Sequence, residues 1–325
     1  LDHMLAYKVP SYNVSQQTIS DATAHFDPAE LRGLGPSRTL VLINGKRRHA
    51  SSLVYINDTP GKGEVGVDMR SIPTAAIERV EVLRDGASAQ YGSDAIAGVV
   101  NIIMKEETDY TEINLSAGQT AGGHRNAGDG DNKSVDINHG MNLGEKGYLS
   151  VTASYHDQDE TRRTGEPGGD GLFGFLYDIG AIPIQAAGGF EATPGVVATG
   201  AQIRSGDTDW QRENPDLGTR IGTPNMTTAD VFLNGSYDLN EQTELYAFTG
   251  FTQREGLSYA LYRAPYWPGV SDCCGLIPGA SANGFQPTFE TDITDNSFTA
   301  GVRGRKMDWD FDASLSSGRN TVDYT

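Results

Sequence analysis

The chain has 325 residues, of which 37% are hydrophobic and 9% aromatic, and it carries 43 acidic against 25 basic side chains for a formal charge of −18. That is too apolar for a disordered chain, and the negative charge argues against a nucleic-acid partner, whose phosphates would repel it. No stretch approaches the roughly 18–20 apolar residues of a membrane helix, so helical spans are excluded, whereas a transmembrane barrel, whose strands alternate apolar with polar residues, is not.

Residues 1–107 hold 11 bases and 13 acids, and the remaining 218 residues hold 14 bases and 30 acids, so the charge is concentrated after Glu107. In the first part, the apolar runs Thr39–Ile43 and Ile77–Leu83 are broken by Asn44-Gly45, Asp85-Gly86 and Tyr91-Gly92. Together with Pro10, Pro28, Pro36, Pro60 and Pro73 they predict a small α+β domain over residues 1–107, with helical turns at Asp27–Leu31 and Pro73–Ile77.

From residue 108 to 325 the period becomes two. Leu149, Val151, Trp309, Phe311 and Leu315 fall on one face, which is expected to meet lipid, and Ser150, Thr152, Asp310 and Asp312 on the other, toward a lumen. The alternation predicts about seven antiparallel strands of about ten residues, centred near residues 114, 138, 152, 233, 248, 300 and 314. Their connections alternate in length. Gly144–Lys146, Leu239–Gln242 and Arg305–Met307 are tight turns, while Gln119–Asn132, Gln158–Thr228 and Glu255–Asp295 are long polar loops. Short turns on one edge and long loops on the other describe an outer-membrane barrel; a soluble sandwich alternates too, but its connections need not sort by edge.

The first domain resembles the plug of TonB-dependent outer-membrane receptors. Leu31-Arg32-Gly33-Leu34-Gly35 and Thr39–Gly45 are similar to the family's arginine-glycine segment and the strand and turn that follow it. Ile72-Pro73, Ile77–Arg84 with Glu78 and Arg79, and Ser88–Ile102 with Tyr91, Gly92, Gly98 and Asn101 carry the most specific likeness. Asp85-Gly86 departs from the glycine-proline common in the family but leaves the spacing intact. The resemblance implies a plug at 1–107 and the first part of a barrel at 108–325, with about seven of about 22 strands, so the polypeptide is expected to continue beyond Thr325. It also implies that Arg32 and Arg84 couple the plug to glutamates of the barrel wall, themselves expected beyond Thr325. The implied function is active import of a scarce solute, a ferric siderophore first, across the bacterial outer membrane. The implied partners are TonB with its inner-membrane energising complex, outer-membrane lipid and the small-molecule substrate. The competing reading is a soluble, acidic, calcium-dependent adhesin or binding module.

Beside the resemblance, Gly92 and Gly98 flank a segment that must turn tightly and lie against other backbone. The six histidines show neither a metal-protease spacing nor a nucleophile partner, and Gly61-Lys62-Gly63 lacks the spacing of a phosphate loop. No enzyme, cofactor or metal is therefore expected. Asp129-Gly130-Asp131-Asn132 hints at calcium, but Lys133 and Ser134 spoil the loop, and a solvated turn competes with it. Lys46, Arg47 and Arg48 are candidate ligand contacts if they crown the plug, and otherwise a solvated or barrel-paired turn. Tyr262, Arg263, Tyr266 and Trp267 suit a ligand vestibule or an aromatic girdle. Cys273 and Cys274 are the only cysteines; a vicinal disulfide, two free thiols, or pairing with cysteines beyond Thr325 are the alternatives.

Overall fold

The computed structural model describes residues 1–14, 21–56, 61–84, 87–121, 128–171, 200–264 and 284–324. The chain opens with a helix, α1 (Asp2–Lys8), which the sequence reading did not anticipate. Asp2 lies in its first turn and Lys8 in its last, the ends that the helix dipole favours, and Leu5 enters the core. β1 (Tyr12–Asn13) pairs antiparallel with β2 (Glu30–Leu31). The helical turn expected at Asp27–Leu31 is absent. The turn lies earlier, at Asp21–His25, and Pro28 bridges to Asp68. Every residue from Phe26 to Leu31 is buried, so the segment is held extended between neighbours on both sides, which outweighs the helix-start signal of Asp-Pro. The second expected turn forms, as a 3₁₀ helix over Thr74–Ala76.

β3 (Thr39–Ile43), β4 (Lys46–Arg47), β5 (Ile77–Leu83) and β6 (Gly98–Met104) make a four-stranded sheet in the order β4-β3-β6-β5, with β3 parallel to β6 and β5 antiparallel to it. All five residues of β3 are buried, which its unbroken apolar run foretells for a strand covered on both faces. Gly98 has φ +144°, and a Cβ there would lie 2.6 Å from the Leu83 carbonyl oxygen, so both the conformation and the close approach require glycine.

The second region is one antiparallel sheet of seven strands in sequence order. They are β7 (Tyr110–Thr120), β8 (Asp129–Asn142), β9 (Gly147–Gln158), β10 (Asn225–Asn240), β11 (Thr243–Tyr259), β12 (Thr288–Lys306) and β13 (Trp309–Tyr324). Every connection between described neighbours is short on one edge, at 143–146, 241–242 and 307–308, and long on the other, at 121–128, 159–224 and 260–287. The inner face is polar and buried against the first domain, with Asn138, Ser150, Thr152, Thr228 and Asn234 among its residues. Leu115, Val231, Leu245, Phe298 and Leu315 stand exposed on the outer face. Leu149, Val151, Trp309 and Phe311 share that outer face, and Asp310 and Asp312 the inner one.

The strands run 11 to 19 residues rather than about ten. Their outer positions explain the excess. Outer positions are apolar over 149–155 on β9, at Leu245, Ala247 and Phe251 on β11 and over 309–315 on β13, runs of about 20 Å along each strand at about 3.3 Å per residue that contribute to the apolar band of a membrane barrel. Toward the long connections the outer positions turn polar, at Asp157, Glu255, Asp292 and Arg319. Pairing thus continues past the band, where water can solvate both faces, and takes in residues that the sequence reading assigned to loops.

Candidate functional site: the seam between plug and wall

The first domain sits against the inner face of the seven-stranded wall, and Phe232 and Phe248 of the wall join its apolar core. Two buried ion pairs cross the seam with opposite polarity. Asp68, at the N-cap of a 3₁₀ turn over Met69–Ser71, accepts a hydrogen bond from Arg254 Nη1 of β11 at 2.8 Å, with both side chains essentially inaccessible. Arg48, after the β3–β4 turn, donates to Asp295 of β12, and both of these are also buried. Arg254 is in register with Ile293, two residues from Asp295 on the adjacent strand, so the two pairs are neighbours.

A polar network supports them. Arg254 Nη1 also donates to the His25 carbonyl at 3.0 Å, and Arg48 Nη2 donates to Ser71 Oγ at 3.0 Å. His49 and Asn320 both reach Asp295 Oδ2 at 2.9 Å, and Asn44 Nδ2 donates to Asn234 Oδ1 at 3.1 Å. His25 meets Thr291 Oγ1 at 2.7 Å, and burial, assisted by the Arg254 and Arg70 charges, pushes its imidazole down to about 3. It is therefore neutral near pH 7. Around it, Arg70 pairs with Asp27, and Tyr12 donates to Asp2, whose carboxyl is pushed up to about 6 by burial and then by the Asp27 charge. Some guanidinium capacity is unused. Arg48 Nε and Nη1 and Arg254 Nε and Nη2 are buried without a protein partner among the described residues.

Crossed polarity has a mechanical consequence. Sliding the plug so that Asp68 faced Asp295, or Arg48 faced Arg254, would oppose like charges away from water, so the pairs select one seating. Removing one partner of such a buried pair costs about 3–5 kcal/mol, because the other charge stays buried alone. None of Asp68, Arg254 and Asp295 was singled out from sequence. The available signal was parity: Arg254 and Asp295 are charged residues on the inward-facing positions of their strands.

Several sequence candidates are committed elsewhere. Lys46 Nζ binds Asp312 Oδ2 at 2.8 Å, and Tyr246 donates to the other oxygen of that carboxylate at 2.6 Å. Arg47 pairs with Asp94 and donates to the Tyr91 carbonyl, and Arg48 is buried as described. Arg32, in the left-handed region beside Gly33, donates to the Arg84 carbonyl at 2.9 Å, and both side chains are exposed. Glu78 and Arg79 are exposed on β5. Asn101 bridges the Gly45 amide and Glu81, while half-buried Tyr91 packs on Leu40, Leu42 and Val99. Gly92 has φ +92°.

On the long-connection side, the Arg220 guanidinium stacks over Tyr259 at 4.3 Å and pairs with Glu160. Trp210, on a short helix Asp209–Glu213 capped by Thr208, stacks on Tyr262 at 5.6 Å, and Arg263 bridges to Phe285. Asp129 is gripped by Arg163 at 2.8 and 2.9 Å. Trp210, Arg220 and Glu160 were not singled out from sequence, because nothing local marks them as partners. Tyr266, Trp267, Cys273 and Cys274 lie outside the described residues.

A polar inner wall, an apolar outer wall and a small domain locked inside define a plugged membrane barrel. The TonB-dependent receptor plug domain family matches residues 1–99. Residues 1–99 thus match a TonB-dependent receptor plug, and the chain is similar to such receptors. It is 30% identical over 169 residues to the ferric enterobactin receptor of Pseudomonas aeruginosa, covering 50% of this chain and 22% of that protein. It is 36% identical over 104 residues to a probable TonB-dependent siderophore receptor, PirA, of Acinetobacter baumannii (32% of this chain, 14% of that protein). Vitamin B12 transporter BtuB of Vibrio vulnificus is 36% identical over 116 residues (35% and 17%). A crystal structure of a ferric enterobactin receptor mutant of P. aeruginosa in complex with enterobactin shares the fold, with a TM-score of 0.58 at 20% identity, covering 95% of this chain and 37% of that one. The chain thus spans less than a quarter of these curated relatives' length. Members of the family are outer-membrane proteins, transporters and receptors rather than enzymes, and the wall is part of such a barrel.

Proposed function

We propose that this receptor imports a ferric siderophore across the outer membrane, with residues 1–107 as plug and 108–325 as barrel wall, driven through TonB and its inner-membrane energising complex. The observation that carries the reading is the seam. A plug seated by two buried, crossed ion pairs does not leave by thermal drift, and opening requires work that neither region can supply. The siderophore class is favoured by the names of two of the relatives above. It is also favoured by the cation and aromatic groups gathered at Arg220, Tyr259, Trp210 and Tyr262, which suit an anionic aromatic chelate. Arg32 and Arg84 would meet wall glutamates outside this chain as a further coupling point. A calcium-dependent soluble adhesin is disfavoured, since it would expose the outer apolar band to water, and Asp129 of the calcium-like loop already serves Arg163.

The test is iron uptake by receptor-deficient, iron-starved cells expressing the full-length protein. Radiolabelled ferric catecholate should accumulate only when TonB is present, and should still bind when TonB is absent. Uptake of cobalamin without uptake of any ferric chelate, or uptake indifferent to TonB, would overturn the reading.

A further inference from the structure

The basic turn of the plug backs onto a small cavity at the seam. Between Lys46–His49 and the inner face of β12 and β13 lies a space of about 190 Å³. Ser297 and Thr299 line it from β12, and Ser316, in register with Thr299, lines it from β13. Gly318, in register with Ser297, makes room on the same strand. A Cβ there would collide with the His49 ring, so glycine lets the imidazole rest on β13.

The lining is rich in donors and poor in acceptors. Among the described residues no carboxylate lines the cavity. Asp295, the partner of Arg48, has both oxygens spent, Oδ1 on Arg48 and Oδ2 on His49 and Asn320. Asp312 is taken by Lys46 and Tyr246, and Asp94 pairs with Arg47. Donors remain over. The Arg48 side chain is only 3% exposed, yet its Nε and Nη1 have no protein partner among the described residues, and Ser297 Oγ is buried in the same condition. Thr299 and Ser316 share one proton in their 2.9 Å contact, which leaves the second hydroxyl hydrogen unspent.

Buried donors without a partner call for a bound water or ion. Water answers this lining poorly, because its own two hydrogens would face further donors, whereas an anion brings acceptors only. Lys46, Arg47 and His49 beside Arg48 give the cavity a potential of the matching sign. We propose that this cavity holds one small oxyanion, of the inorganic phosphate or sulfate class, on Arg48 and the hydroxyls of Ser297, Thr299 and Ser316. Arg48 belongs to the plug and the hydroxyls to the wall, so the anion ties the two together with charge-assisted hydrogen bonds, and by mass action it favours the seated plug. The space is too small for a metal chelate, and the site is independent of which solute is imported.

The test is titration calorimetry of the full-length receptor, freed of phosphate in HEPES buffer, with inorganic phosphate as the probe. Saturable binding of one phosphate per receptor is expected, with sulfate competing. Ser297→Ala and Ser316→Ala should each weaken it about tenfold, the loss of one hydrogen bond to a charged group, and Arg48→Lys should weaken it further. Arg79→Ala removes an exposed plug cation outside the cavity and should leave binding unchanged, with heat-modifiable gel migration showing that each variant is folded. No saturable binding to the unmodified receptor, as when a carboxylate from the rest of the wall already fills the cavity, would overturn the proposal. So would binding indifferent to both serines, an equal loss in Arg79→Ala, or competition by chloride as effective as that by sulfate.

Discussion

The plug sheet and the wall sheet are built from the same strands and hydrogen bonds, yet they bury opposite chemistry. In β3 and β6, Val41, Ile43, Val100 and Ile102 point into an apolar interior. In the wall most interior positions are polar, Ser150, Thr152, Asn138 and Asp230 among them, and apart from Phe232, Phe248 and Ile293, which meet the plug, the large apolar residues mostly face out. The difference follows from what lies outside each sheet: one is surrounded by protein, the other by lipid on one side and a polar plug on the other. Apolar surface leaves water in both cases, but only in the wall does it leave by facing outward. The consequence is that the plug–wall seam must be satisfied by hydrogen bonds and ion pairs, the kind of interface that holds firmly in one seating and loses much when a single partner is removed.

That contrast can be broken first at the buried pair. Arg254→Met in the full-length receptor should destabilise the plug–barrel unit by about 3–5 kcal/mol, because Asp68 is left buried and alone. The double variant with Asp68→Leu should recover most of the loss, short of the cap that Asp68 gives the Arg70 amide. Chemical denaturation of the four members of the cycle reads both; equal loss in the single and the double variant would show that the pair does not hold the seam.

The outer face gives the next largest effect, graded by depth. Leu233→Arg, mid-band on β10, should cost about 2–4 kcal/mol in a reversible membrane-folding titration, and Phe311→Arg, one outward-facing position above Trp309 at the start of β13, only about 0–1 kcal/mol. Asp310→Ala, facing inward, should cost little. A Phe311 penalty as large as that at Leu233 would move the band toward the short turns.

Inside the plug, Asp2 makes stability depend on pH with a definite sign. Its folded carboxyl titrates near 6 instead of near 3.8, so the folded state holds the proton more tightly. Stability contributed by that proton is complete below pH 4 and is lost as pH rises through 6, on the order of 3 kcal/mol. Asp2→Asn, which preserves an acceptor for Tyr12, should flatten the stability profile between pH 4 and 6, as followed by thermal melts. A profile unchanged by the substitution would assign the slope to another group. The smallest effect belongs to the surface pair Arg79–Glu81 at 2.9 Å. Arg79→Ala should shift stability by less than about 1 kcal/mol, and by less still in added salt, in contrast to the buried pair of the same chemistry.

Much of this architecture is written locally. Period two fixes which face each wall residue takes, because a strand has only two sides, so Leu149 against Ser150 or Phe311 against Asp312 could be sorted before any fold was known. The Thr39–Ile43 run announces a strand covered on both faces, and the alternation of short and long connections orients the wall. Strand ends were less legible: polar outer residues such as Glu255 and Asp292 read as loop, whereas pairing persists into water once it has begun. The functional seam was hardly legible at all. Arg254 meets Asp68 across 186 residues of sequence and Arg48 meets Asp295 across 247. No local propensity encodes such a pairing, since a charged residue on an inward position states only that a partner is needed, and where that partner comes from is decided by how the plug is seated against the wall.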